Sequence, residues 1–147
     1  MNIQIISGTI RIPDLNQFLV KLSNFAIAYN ITIQAMNADL LSGLKHILFA
    51  VEKAIRSFES GCNTANNLGM EIMLYTSGRR QIERALDLGV RPGENNAAIV
   101  LVGENGTGEA ANKIKNLFFS TSPRTSWKLW VKTRYLNLSW KGLRWLM

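Results

Sequence analysis

The run Ala97-Ala98-Ile99-Val100-Leu101-Val102 decides how this chain folds. Six consecutive apolar residues leave no polar face, so a strand here must be covered on both sides. Helices have to supply the covers, and the flanking sequence contains them. On the C-terminal side, a glycine-rich turn from Gly103 leads into a helix over 107–117. Its buried side is Ala110, Ala111, Ile114 and Leu117. On the N-terminal side, Ser77-Gly78 breaks the chain and starts a short helix over 79–88, ended by Gly89 and followed by Pro92. Residues 64–76 carry a helical stripe through Ala65, Leu68, Ile72 and Tyr75. Met70, Ile72 and Leu74 also alternate as a strand would; the helical reading is preferred.

Further out, the stripe Leu44, Ile47, Leu48, Val51, Ile55 and Phe58 marks a helix, with Ser42 as N-cap and Gly61 as its stop. Residues 31–35 (ITIQA) alternate apolar and polar, as in a half-buried strand. Pro13 and Asp14 suit a helix start. Leu15, Phe18, Leu19, Leu22, Phe25, Ala26 and Tyr29 then follow the helical spacing of one buried stripe. Residues 3–10 (IQIISGTI) read as the first strand. The order βαβαααβα predicts an α+β fold, a small mixed sheet of three or four strands with helices packed on it.

Composition bounds the function. The 147 residues include one His and one Cys, and 47% are apolar. A single Cys excludes a disulfide framework or a Cys-rich zinc site. A single His excludes two-His metal motifs and leaves little for imidazole chemistry. No uncharged apolar run approaches the ~20 residues a membrane helix needs. Arg11 and Asp14 interrupt the N-terminal apolar residues, so a cytoplasmic protein is the expectation.

Charge divides the chain in two. Up to Asn116 there are 11 Lys+Arg and 10 Asp+Glu, whereas the remainder holds six Lys+Arg, no acid and all four Trp. The expected division is a domain over 1–117 and an atypical basic, Trp-rich tail over 118–147. Such a tail can grip nucleic acid or an anionic membrane.

The turn Gly103-Glu-Asn-Gly-Thr-Gly108 nearly matches a phosphate-binding loop, but Glu109 stands where the phosphate-binding Lys belongs. Ala110 replaces the magnesium-binding hydroxyl, so a flexible strand-to-helix turn is the better reading. His46 reads as a hydrogen-bonded boundary residue and Cys62 as an inert thiol. The carboxylates form no pair spaced for acid–base work. The segment Ser77-Gly-Arg-Arg-Gln-Ile82 is different. Arg79 and Arg80 at a helix start combine full charges with free backbone N–H groups, and Ser77 and Gln81 add neutral hydrogen-bonding groups. This suits a phosphate or a nucleic-acid end; the plainer alternative is a solvated first turn.

Three segments carry a family resemblance: KHILFAVEKAIRSFESG (45–61), ANNLGMEIMLYTSGRRQIERALDLGV (65–90) and AAIVLVGE (97–104). Together they resemble the smallest subunit of the KEOPS complex, the PRPK-binding protein family. The run from Met70-Glu71-Ile72 to Gln81-Ile82 is the specific part, and roughly residues 1–117 are covered. The resemblance implies an accessory subunit with no catalytic residues, no metal and no cofactor. It implies a role in forming threonylcarbamoyladenosine in tRNA and binding to the kinase-like (PRPK-type) ATPase subunit of the complex. In archaeal members it also implies capture of the tRNA 3′ CCA end. RNA contacts are then expected at Ser77, Gly78, Arg79, Arg80 and Gln81, with Lys45 and His46 as neighbours. No DNA or membrane partner is expected. Two other classes compete with this reading: a small nucleotide-binding enzyme using the Gly103–Gly108 turn, and a nucleic-acid or membrane adaptor acting through the tail.

The tail does not resemble that family and has the marks of a shifted reading frame; the plainer alternative is a real, divergent tail with a few Trp anchoring it to the core. Reading each codon's third base with the next codon's first two turns Trp-Lys into Glu, at Trp127-Lys128 and again at Trp140-Lys141. From Ser139 the shifted frame permits apolar-Glu-Arg-Val-Ala-Leu-Val-Asp, which looks like the family's C-terminal ending. The Phe118-Phe119 pair implies a run of T bases, where insertions and deletions are common.

Overall fold

The computed structural model describes residues 1–119 and the backbone of 136–139. Strand β1 (Asn2–Ile12) leads into helix α1 (Leu15–Tyr29), strand β2 (Thr32–Asn37) and a single 3-10 turn at Ala38–Leu40. Helices α2 (Leu44–Glu59), α3 (Leu68–Ser77) and α4 (Ile82–Ala85) follow, the last continuing as a 3-10 turn over Leu86–Leu88. Strand β3 (Gly93–Gly103), helix α5 (Thr107–Phe118) and strand β4 (Leu136–Ser139) complete the described chain.

The sheet order is β2-β3-β1-β4. Every neighbouring pair in it is antiparallel, so the expected mixed sheet is corrected to an antiparallel one. The cause is an insertion. The β1-α1-β2 unit joins two parallel strands, but β3 enters between them and runs against both. The α+β class itself stands.

Two helical layers cover the sheet. Ile3 and Ile5 of β1, Met36 of β2, and Ala98, Val100 and Val102 of β3 face α2, α3 and Leu88. Ile6, Ile10 and Ile12 of β1, Ala35 of β2, and Ala97, Ile99 and Leu101 of β3 face α1 and α5. The registers Ile5↔Val100 and Ile6↔Ile99 show how one strand feeds both cores through its two-residue alternation. β3 lies between two strands and two helical layers, and Ala97 through Leu101 are wholly inaccessible to solvent. Each large aliphatic side chain buried this fully contributes roughly 1.5–3 kcal/mol. The uninterrupted apolar run of β3 follows from that position.

Local signals set most helix ends. Asp14 caps α1 by accepting from the Gln17 N–H at 3.1 Å, and Asn30 ends the helix in the left-handed region (φ 51°). Asn67 caps α3 by accepting from the Met70 N–H at 2.9 Å. Helix α2 differs from expectation at its start, because Gly43 occupies the cap position and Ser42 does not. Both ends of the β1–β3 pairing run past the expected strands, with Ile12 opposite Gly93. Asn95 secures that extension: its side-chain amide donates to the Arg91 and Gly93 carbonyls and accepts from the Arg91 N–H.

Phe118 meets Phe18 edge to face, with centroids 4.9 Å apart, and Phe119 bridges to Ile10 on β1. These contacts attach the end of α5 to the inner core. The tail's four Trp and the proposed frame change beyond Phe119 lie outside the described residues. The β4 strand, which pairs with Asn2–Ile5, was not foreseen.

Candidate nucleic-acid interface

The turn between α3 and α4 is built by three local devices. Gly78 takes φ 64° and ψ 18°, a left-handed conformation that ends α3 and that a side chain would strain. The Ser77 hydroxyl donates to the Leu74 carbonyl at 2.9 Å and accepts from the Arg79 N–H at 3.1 Å, splinting the turn across Gly78. Gln81 is extended, so α4 begins only at Ile82. The expected helix over 79–88 is therefore shorter. Arg79 and Arg80 stand in the linker before it and not in its first turn. Ser77 works on the backbone of the turn, while Gln81 is exposed with no side-chain cap bond.

Three depressions converge on this turn, and Gly78 and Arg79 border all of them. The largest is an open groove of about 460 Å³. His46 and Phe49 on α2 form one wall, Tyr75 closes another, and Arg84 with Asp87 comes from α4 and the turn after it. A second depression, about 410 Å³, lies across Arg79 and Arg80 against Thr64 and Leu74. The third, about 350 Å³, is floored by Arg79, Arg80, Gln81 and Arg84. Arg79, Arg80 and Arg84 are exposed, and no salt bridge among the described residues engages any of them. Their positive charge is turned outward to whatever enters.

Of the sequence-predicted residues, Ser77, Gly78, Arg79, Arg80 and Gln81 fall together at the turn. His46 reaches the groove wall, and its Nδ1 accepts from the Ser42 N–H at 3.1 Å. It thereby satisfies a backbone donor just ahead of α2, where Gly43 offers no side chain. This is the boundary role expected for it. Lys45 is exposed on the first turn of α2 and lines none of the three depressions.

Sequence reasoning missed Phe49, Arg84 and Asp87, and it placed Tyr75 on a buried stripe. Phe49 is 48% and Tyr75 39% exposed. A signal for Phe49 existed: it sits off the α2 apolar stripe, an unusual place for a large aromatic ring. Lys53 lies over that ring at 5.4 Å from its centroid. Arg84 and Asp87 carried no local signal, because only the fold of the α4 turn brings them to the groove.

Glu71 secures the turn's other neighbour. Its buried carboxylate accepts from the Ser57 hydroxyl at 3.0 Å, the Ala65 N–H at 2.7 Å and the Thr64 N–H. The loop before α3 is thus stapled to α2 and α3. The Gly103–Gly108 turn packs on one side against Ile31 and Tyr29. A Cβ on Gly103 would run into Ile31, and one on Gly106 would meet Tyr29 at 2.8 Å. The Tyr29 hydroxyl donates to Glu109 at 2.9 Å and so ties the start of α5 to the end of α1. Cys62 is free and exposed. Among the described residues no group of three or more His, Cys, Asp or Glu is placed to hold a metal. None of their helices is long and apolar enough to cross a membrane.

Residues 12–124 match the family described as kinase binding protein CGI-121, most of the chain and the whole of this basic turn. The chain belongs to the CGI-121 family. It is also 37% identical over 79 residues to the KEOPS complex subunit Cgi121 of Pyrococcus abyssi. That alignment takes in 52% of this chain and 46% of the relative, so the chain matches about half the length of the curated relative. The family's own description is kinase binding, and the KEOPS description belongs to the Pyrococcus relative.

Proposed function

We propose that this protein is a non-catalytic accessory subunit of a KEOPS-like complex that forms threonylcarbamoyladenosine in tRNA. It binds the kinase-like ATPase subunit and the single-stranded 3′ CCA end of tRNA. The observation that carries the RNA reading is the groove at Gly78-Arg79, where exposed arginines stand beside exposed aromatic rings. Single-stranded RNA is held by that combination, with cations on the phosphates and flat side chains stacked on the bases. Family membership carries the kinase reading.

The kinase-like subunit docks on an apolar helical surface away from the basic turn. Helix α1 offers that surface: Leu19, Val20 and Ile27 are 47%, 57% and 76% exposed on its outer side. Phe18 and Leu22 occupy the inner side. An exposed apolar face of this kind suits a protein partner. The nucleotide-binding alternative is disfavoured by Glu109, whose negative charge stands where a phosphate-binding Lys is needed.

Charge reversal tests the RNA half. Arg79→Glu with Arg80→Glu should weaken tRNA binding at least tenfold and flatten its salt dependence, because two phosphate contacts and their released counterions are lost. Unchanged affinity for full-length tRNA would reject the site. Calorimetry against the kinase-like subunit tests the other half, with saturable heat expected. ATPase or acyl-transfer turnover by the isolated protein would sink the non-catalytic reading.

A further inference from the structure

Asp87 is out of keeping with the rest of the groove. It is exposed on the 3-10 turn after α4 and lines the same cavity as Arg79, Arg84, Phe49 and Tyr75. A carboxylate repels phosphate and so lowers the affinity of a groove built only to hold an RNA backbone. No salt bridge among the described residues ties it to Arg79 or Arg84, so its charge is not spent on the arginines beside it. Its two oxygens can only accept hydrogen bonds. A single-stranded RNA can donate to them from its 2′-hydroxyls, from ring N–H groups and from exocyclic amines. Of these, the amine at the rim of a base edge is the donor that tells bases apart. Uracil is the base without such an amine; its single edge donor, N3–H, is flanked by two carbonyl oxygens that repel a carboxylate.

From this arrangement we infer that Asp87 is the specificity-determining residue of the groove. It accepts a hydrogen bond from the exocyclic amine of a stacked base and so selects amine-bearing bases over uracil. The inference rests on the proposed RNA-binding function. The division of labour is physical: arginines take phosphates, Phe49 and Tyr75 take base faces, and Asp87 reads one edge. Carboxylates accept from the cytosine amine in just this sense when proteins read bases directly.

The test uses the full chain and two short 3′-terminal RNA probes that differ only by cytosine-to-uracil replacement. Pyrimidine for pyrimidine leaves stacking nearly unchanged, so the difference isolates the edge. Fluorescence anisotropy should show the cytosine probe binding about five- to tenfold more tightly than the uracil probe. Asp87→Asn should reduce that ratio to about twofold or less, because the amide can also donate to the uracil carbonyl. The same variant should bind the uracil probe more tightly than the parent chain does, since a repulsive charge is gone. Equal binding of both probes by the parent chain would overturn the role of Asp87 and leave the groove as an RNA site. An unchanged preference in Asp87→Asn would do the same. Failure of the folded parent chain to bind either probe would overturn both the inference and the RNA reading beneath it.

Discussion

Glu71 and Ser77 show how single side chains prepare the site without lining up as its ligands. Glu71 gathers a hydroxyl and two backbone N–H groups in a place that is 2% exposed. Hydrogen bonds to an ionised acceptor are about twice as strong as neutral ones, and the donors it satisfies have no other partner nearby. Glu71→Gln removes the charge and turns an amide group toward those donors. The expected loss is about 2–3 kcal/mol, read as a lower urea midpoint with an unchanged slope. A loss below about 1 kcal/mol would mean that the loop before α3 does not depend on this carboxylate. Ser77 was expected to offer its hydroxyl to a ligand as a neutral group. In the structure that hydroxyl is occupied by Leu74 and Arg79, so it shapes the turn.

At the scale of elements, α1 and α5 are joined on their outer side by Tyr29, Glu109 and Lys113. Lys113 lies 3.2 Å from Glu109 one turn away and 5.3 Å above the Tyr29 ring. The Tyr29 hydroxyl, then the hydrogen bond and charge of Lys113, hold the Glu109 carboxyl below its usual value. Lys113 is raised, first by Tyr29 and then by Glu109. A depressed carboxylate favours folding above its unfolded titration range, and that contribution disappears as the pH falls through the folded value. A raised ammonium favours folding below its unfolded range and loses its contribution as the pH rises through the folded value. Glu109→Gln should therefore lower the thermal midpoint slightly at neutral pH and leave it unchanged in acid below both carboxyl values. Because the pair is solvent-exposed, added salt should shrink the neutral-pH difference. A difference that persists unchanged in acid would mean that the charge of Glu109 is not its source.

Across the whole molecule, the sheet separates two surfaces. The basic groove belongs to the layer of α2, α3 and α4, and the apolar face of α1 belongs to the layer opposite. The two proposed partners can then bind together. Ile27→Glu changes a residue that is already solvent-facing, so it should leave stability within about 0.5 kcal/mol. It should weaken kinase-subunit binding at least tenfold while tRNA affinity stays the same. Full kinase affinity in that variant would move the docking surface elsewhere. The tail belongs to this scale too. The family match ends at residue 124, within the stretch where acids cease and the Trp residues begin. We propose that a shifted frame accounts for that boundary, in which case the +7 net charge says nothing about RNA. Resequencing codons 114–125 decides it: a single-base slip at the T-rich Phe118-Phe119 codons is expected, and an intact frame ends the idea.

The sequence by itself determined the covered strand and the helices around it. Ala97–Val102 has no polar face, so burial on both sides was the only way to satisfy it, and the structure buries it completely. The α2 stripe was equally legible, as was that of α5 through Ala110, Ala111 and Ile114, because amphipathic period is a property of neighbouring residues; Leu117, expected on the buried side, is 55% exposed. Only the tertiary structure decided the strand order. The same alternation serves a parallel or an antiparallel neighbour, and the insertion of β3 between β1 and β2 depends on pairings between residues far apart in the chain, such as Asn2 with Gly103 and Asn37 with Ala97. The site divided in the same way. Arg79 and Arg80 stood out as a local cluster of charge, and Gly78 as a local breaker. Phe49, Arg84 and Asp87 join them only because α2 packs on α3 and the chain turns back through α4. That convergence arises from packing across elements, which no local pattern in the chain records.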